Sequence, residues 1–195
     1  MDPEIVAWRR QKRAELLAAR QATPNDIRRQ ATERIAGALN RLCGGLNIAT
    51  VGLCWPIKSE IGLLPWGRAL AQSRQVTLCL PVVVAKRAPL EYWRWTPGDA
   101  MVEGAWNIPV PACRDVVVPD LMLAPLVGFD RARYRLGYGG GYFDRTLASL
   151  PQKPIVAGVG YALGSLETIF PQPHDIPMDV ILTEHVAGSD LSETA

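Results

Sequence analysis

Apolar residues recur at two periods along the chain, and the switching between them predicts the architecture. Ile5, Trp8, Leu16 and Leu17 are spaced among charged residues as on one side of a helix. Asp2-Pro3 supplies a cap and a first-turn proline, so a helix is predicted from there to about Arg20. Thr23-Pro24 repeats the device, with Thr23 as capping hydroxyl. Ile27, Ala31, Ile35, Leu39 and Leu42 follow at helical spacing, and Gly44-Gly45 ends the run. A third helix is predicted over 61–73, with Pro65 near its start, and a short fourth over 146–150.

Between the helices lie short apolar, β-rich runs at 47–54, 75–84, 121–127, 154–161 and 178–183. Buried strands alternating with helices argue for an α/β domain whose mainly parallel sheet is covered on both faces. Residues 90–95 alternate bulky apolar with charged side chains, the pattern of an exposed antiparallel strand. Residues 106–111 are expected to form an extended loop, because Pro109 and Pro111 deny it ladder bonds. Neither a repeat nor a linker interrupts the chain, so one domain is predicted over 1–195, with 188–195 a mobile tail.

Composition narrows the class. Of 195 residues, 48% are hydrophobic and 21% charged, enough for one good core. The net charge of +2 gives no reason to expect nucleic acid as a partner. Basic residues concentrate at the N-terminus: Arg9, Arg10, Lys12, Arg13, Arg20, Arg28, Arg29 and Arg34. Such a run is a solvated helix face or a phosphate-binding arm. Cys43, Cys54, Cys79 and Cys113 are dispersed with no C-x-x-C pair, as for reduced thiols in a cytoplasmic protein. Arginines break any signal-peptide core, and the apolar run 78–85 contains Pro81 and is too short to span a bilayer, so no membrane role is expected.

The stretch 133–145 is where chemistry is expected. Four glycines, Gly137, Gly139, Gly140 and Gly141, lie between Arg133, Arg135 and Arg145, with Asp144 at the downstream edge. Bare backbone N–H groups at a helix start make an anion cradle, and guanidinium groups add charge-assisted bonds. A glycine-rich turn without a ligand is the plain alternative. The loop is neither a Walker A motif nor G-x-G-x-x-G, since Tyr142 occupies the last glycine's place. Glu60, after a buried strand, would reach the carboxyl-end rim where α/β sheets bind ligands. His174-Asp175 and Asp179 form a second polar cluster; with Asp144, an oxygen-rich Mg²⁺ site can be built. No pairing of side-chain nucleophile and base is evident.

Together these residues resemble the 5-formyltetrahydrofolate cyclo-ligase (5,10-methenyltetrahydrofolate synthetase) family. The resemblance rests on Pro125-Leu126-Val127-Gly128-Phe129-Asp130 followed by the run from Arg135 to Arg145. Trp55-Pro56-Ile57-Lys58-Ser59-Glu60, Trp106-Asn107-Ile108-Pro109-Val110-Pro111, and His174-Asp175 with 179–184 support it in order. The resemblance implies a three-layer α/β/α fold with a small antiparallel addition, ATP as cosubstrate with Mg²⁺, and 5-formyltetrahydrofolate as substrate. It implies that Arg135, Leu136, Gly137, Tyr138, Gly139, Gly140, Gly141, Tyr142 and Phe143 surround the nucleotide phosphates. Asp144 and Asp175 would hold the metal. Trp55, Glu60, Trp106, Tyr138 and Tyr142 would meet the folate, with Arg135, Glu60 and Tyr142 closest to the reaction. Basic residues of the first helix would join the nucleotide site: Arg9 and Arg13 have the family's four-residue spacing, whereas register from Thr23-Pro24 falls nearer Trp8 and Lys12. Two departures stand out. Gly140 replaces a lysine that many members carry, and Phe143 replaces a common tyrosine. A folate- or nucleotide-binding paralogue without turnover is the alternative these departures leave open; a sugar-phosphate isomerase or acyl transferase is a third. Oligomeric state is not legible.

Overall fold

The computed structural model describes residues 2–185, so the tail expected at 188–195 lies outside the described residues. Two long helices come first, α1 (Pro3–Ala22) and α2 (Asn25–Gly44). Asp2 caps α1 as predicted, its carboxylate accepting from the Glu4 N–H at 2.8 Å. Thr23 does not cap α2: its hydroxyl donates back to the Ala19 carbonyl of α1 at 3.2 Å, and α2 starts without a side-chain cap. The hydroxyl bonds the finished helix, whose last carbonyls lack partners, before the next one begins.

There follow β1 (Thr50–Gly52), α3 (Leu64–Arg74), β2 (Thr77–Val82), β3 (Glu91–Arg94), β4 (Met101–Glu103), β5 (Pro109–Pro111), β6 (Val116–Val117) and β7 (Leu121–Pro125). The chain continues with β8 (Gly128–Asp130), β9 (Arg135–Leu136), α4 (Tyr142–Ser149), β10 (Ile155–Val159), β11 (Ser165–Leu166) and β12 (Val180–Leu182). All five predicted core strands are present, though shorter than their apolar runs. They lie parallel in one seven-stranded sheet ordered β12-β10-β7-β1-β2-β3-β6, and β3 joins antiparallel at the expected place. On one face Ile35, Leu39, Trp66 and Leu70 from α2 and α3 pack on Val51, Leu78, Leu121 and Leu182. On the other, Leu147 of α4 packs with Met122, Ala124, Val156 and Tyr92. Three layers, α/β/α, result.

The 106–111 stretch departs from expectation. Residues 105–107 form a 3₁₀ turn and β5 pairs antiparallel with β4 in a separate ribbon. Ladder bonds from the Gly104 N–H to Ile108 and from the Ala112 N–H to Ala100 show how the prolines are accommodated. Bonded pairs alternate along an antiparallel ladder, so Pro109 and Pro111 occupy the positions between, where no N–H is required. Also unforeseen is a three-stranded sheet, β11-β8-β9, which carries the chain from β7 to the glycine loop.

Strand order reverses beside β1. After β1 the chain moves outward through α3 to β2, whereas β7 and β10 extend in the other direction with α4 on the opposite face. Loops leaving β1 and β7 therefore diverge and open a crevice at the sheet's carboxyl end.

Candidate active site

That crevice is a cleft of about 310 Å³, counting space open to solvent, lined by Cys54, Glu60, Ile61, Leu63, Leu123, Pro125 and Val159. Its walls are apolar apart from Glu60 and the Cys54 thiol. Burial pushes the Glu60 carboxyl above the usual carboxylate range, with bonds from Ile57 N–H (3.0 Å) and the Tyr138 hydroxyl (2.7 Å) opposing the shift. Burial likewise pushes the Cys54 thiol up, which keeps it protonated and unreactive; the Sγ–H donates to the Leu123 carbonyl.

Tyr138 belongs to the glycine loop, so its bond to Glu60 joins the two predicted halves of the site. Arg20 completes the join. It is 3% exposed and donates to the Lys58 carbonyl (3.0 Å), the Leu126 carbonyl (3.4 Å) and the Tyr138 hydroxyl (2.5 Å). Lys58, held at φ 46 beside Ser59 at φ 62, places its ammonium 5.5 Å from the Tyr138 ring centre. The sequence reading assigned no role to Arg20 or Lys58. Helical phase could have found Arg20: at about 100° per residue, Arg9, Arg13 and Arg20 fall within roughly 40° of one another, and Lys12 falls outside that stripe.

The same phase resolves the N-terminal register. Arg9 is buried and bonds the Ile169 carbonyl (3.1 Å) and Asp175 (2.6 Å). Arg13 donates to the Gly137 carbonyl at 2.7 Å; burial first, then the nearby Arg9 charge, lower its pKa. Lys12 pairs with Glu15 at 2.6 Å along α1. Counting from the Thr23-Pro24 helix start shifts the register by one residue off the stripe that Arg9, Arg13 and Arg20 occupy.

The loop runs from β9 into α4. Arg135 is 8% exposed, and its guanidinium pairs with Asp144 (3.1 Å) and lies 5.1 Å from the Phe143 ring centre. The aromatic face at 143 thus serves the arginine, which needs no hydroxyl. Leu136 is fully buried, so its side chain cannot meet a ligand, and its carbonyl already accepts from Val127 N–H. Gly139 and Gly141 have φ of 91° and 64°, which glycine alone adopts freely. Gly140 has no such φ, but a Cβ there would stand 2.7 Å from Tyr142 Cδ2. Trp106, 67% exposed on its ribbon, meets Tyr142 edge-on with ring centres 5.6 Å apart. Trp55 packs edge-on against Trp95 with ring centres 6.5 Å apart.

Asp144 and Asp175 converge on one segment: Asp144 accepts from Ile176 N–H (3.1 Å), and Asp175 from Gln172 N–H (2.8 Å). Both acids are already paired with arginine. Among the described residues no group of three or more His, Cys, Asp or Glu side chains forms a metal cage. Two carboxylates suit an ion that draws its other ligands from nucleotide phosphate and water, as Mg²⁺ does. Asp179 is not part of this pair and caps the sheet, accepting from Val156 N–H at 2.7 Å.

The model of the 5-formyltetrahydrofolate cyclo-ligase family matches residues 5–184, nearly every element described above. The chain belongs to the 5-formyltetrahydrofolate cyclo-ligase family. Among curated family members, the 5-formyltetrahydrofolate cyclo-ligase of Mycolicibacterium smegmatis is 30% identical over 183 residues, 89% of this chain and 92% of its own. That of Mycoplasma pneumoniae is 37% identical over 137 residues, covering 70% and 74%. The solved 5,10-methenyltetrahydrofolate synthetase of Aquifex aeolicus superposes with a TM-score of 0.78 at 29% identity, over 91% of this chain and 90% of its own. The fold is therefore that of the family's enzymes. No described helix is long and apolar enough to cross a membrane.

Proposed function

We propose that the protein uses ATP to convert 5-formyltetrahydrofolate to 5,10-methenyltetrahydrofolate, working as one unit in the cytoplasm. The observation that carries this reading is the 2.7 Å bond between Tyr138 of the glycine loop and Glu60 of the cleft. It makes an anion-binding loop and a carboxylate set among apolar walls contiguous, as transfer between a nucleotide and a heteroaromatic substrate requires.

In this reading the loop amides of 137–141, with Arg9, Arg13 and Arg135, hold the polyphosphate. Asp144 and Asp175 hold Mg²⁺, which supplies charge neutralisation on the phosphate oxygens when bound. Glu60 accepts from the pterin's N–H groups, while Trp55, Trp106 and Tyr142 bound the ring system. The formyl oxygen attacks the terminal phosphorus, its bond to the bridging oxygen breaks, and ADP leaves. N10 then attacks the activated carbon, the C–O bond breaks, phosphate departs, and N10 loses its proton. Arg135, held between Asp144 and Phe143, remains charged beside the transferring group.

Incubation with 5-formyltetrahydrofolate and Mg-ATP should produce the methenyl chromophore in step with ADP. Folate binding without product would favour a binding protein related to the family. Turnover without ATP would sink the mechanism.

A further inference from the structure

The arginines around the glycine loop fall into two kinds. Arg9 and Arg135 are neutralised by Asp175 and Asp144. Arg13 and Arg145 form no salt bridge with any described carboxylate. Both lie against the loop. The Arg13 guanidinium carbon lies 3.4 Å from where a Cβ on Gly139 would stand, and Arg145 Nη1 lies 3.0 Å from the equivalent point at Gly141.

Arg145 is the more unusual of the pair. It sits in the first turns of α4, where the helix dipole disfavours a cation. Instead of extending away, the side chain folds back: its guanidinium donates to the Gly140 carbonyl and rests 5.1 Å from the Tyr142 ring centre. Its Nε is buried and has no hydrogen-bond partner among the described residues. A buried donor left without an acceptor carries an energetic penalty, and a shift of the side chain toward an incoming anion would relieve it.

We propose that Arg145 is a direct ligand of the nucleotide's polyphosphate, acting with Arg13 at the tip of the glycine loop. The inference rests on the ATP-dependent reading of the site. Binding of an anion fits both features at once: it brings a counter-charge to two unpaired guanidiniums and an acceptor to a stranded N–H.

The test is Mg-ATP binding to the full chain by calorimetry, with steady-state kinetics on Arg145→Ala and Arg145→Lys. Arg145→Ala should weaken Mg-ATP at least tenfold and raise its KM similarly, with the KM for the formyl-folate within twofold of the parent. Arg145→Lys should recover part of the loss, and inorganic tripolyphosphate should compete with ATP for the parent but poorly for Arg145→Ala. Unchanged ATP affinity in Arg145→Ala would overturn the proposal. So would equal losses for both substrates, or a lysine variant no better than alanine, since each marks a packing role. A parent chain that binds no Mg-ATP would overturn the ATP-dependent reading and this inference with it.

Discussion

The two halves of the site sit on the same rim and are built on opposite principles. The glycine-loop half is cationic: Arg13 and Arg145 hold its backbone carbonyls, and Arg135 pairs with Asp144. The cleft half centres one carboxylate among Leu63, Leu123, Pro125 and Val159. An anionic polyphosphate calls for many donors with little need of burial; a flat heterocycle calls for apolar walls and one oriented acceptor. The contrast predicts that substitutions on either side should affect one substrate and spare the other.

Asp144 offers the largest expected break. Asp144→Ala leaves Arg135 buried without its counter-charge, a loss of about 3–5 kcal/mol in stability for a buried pair, and turnover should vanish with weakened Mg-ATP binding. Asp144→Asn keeps an acceptor for Ile176 N–H and separates folding from function; thermal unfolding and the methenyl assay read both. Full activity in a folded Asp144 variant would remove that acid from the metal site.

Glu60→Gln should raise the KM for the formyl-folate roughly 10- to 100-fold, the worth of a charged hydrogen bond, with ATP affinity unchanged. Equal losses for both substrates would mean that the Tyr138 bridge matters more than the division of labour. The same variant has a pH signature. Because burial raises the folded Glu60 pKa above its ordinary 4.5, the native state holds the proton longer than the unfolded chain does. Its contribution to stability therefore declines as pH rises through the interval from 4.5 to the raised value, and Glu60→Gln should flatten that slope in pH-resolved unfolding.

Smallest are the loop glycines. Gly139→Ala and Gly141→Ala, both at left-handed φ, should each cost about 1–2 kcal/mol. Gly140→Ala needs only a shift of the Tyr142 ring and should cost less. Equal costs at all three positions, measured by unfolding, would show that ring packing rather than backbone conformation shapes the loop.

Much of this was legible beforehand, and the reasons are local. The five core strands announced themselves as apolar runs because strands covered on both faces carry apolar side chains at successive positions. Asp2-Pro3 marked a helix start because capping needs only neighbouring atoms. Thr23 misled for the same local reason: a hydroxyl between two helices has two sets of unpaired backbone groups to choose from, and only the packed geometry selects one. Pro109 and Pro111 misled because ladder register, on which their tolerance depends, is set by a partner strand at 101–103.

The sequence by itself determined the α/β class, the succession of core strands and helices along the chain, and the glycine-rich turn between a strand and a helix start. Those properties follow from period, propensity and sterics within a few residues. Only the tertiary structure decided which cations face the loop, that Arg9 and Arg135 are neutralised while Arg13 and Arg145 are not, and that Tyr138 ties the loop to Glu60. Charge pairing across 166 positions of chain, as between Arg9 and Asp175, depends on where the sheet brings distant segments together. No periodicity encodes that meeting.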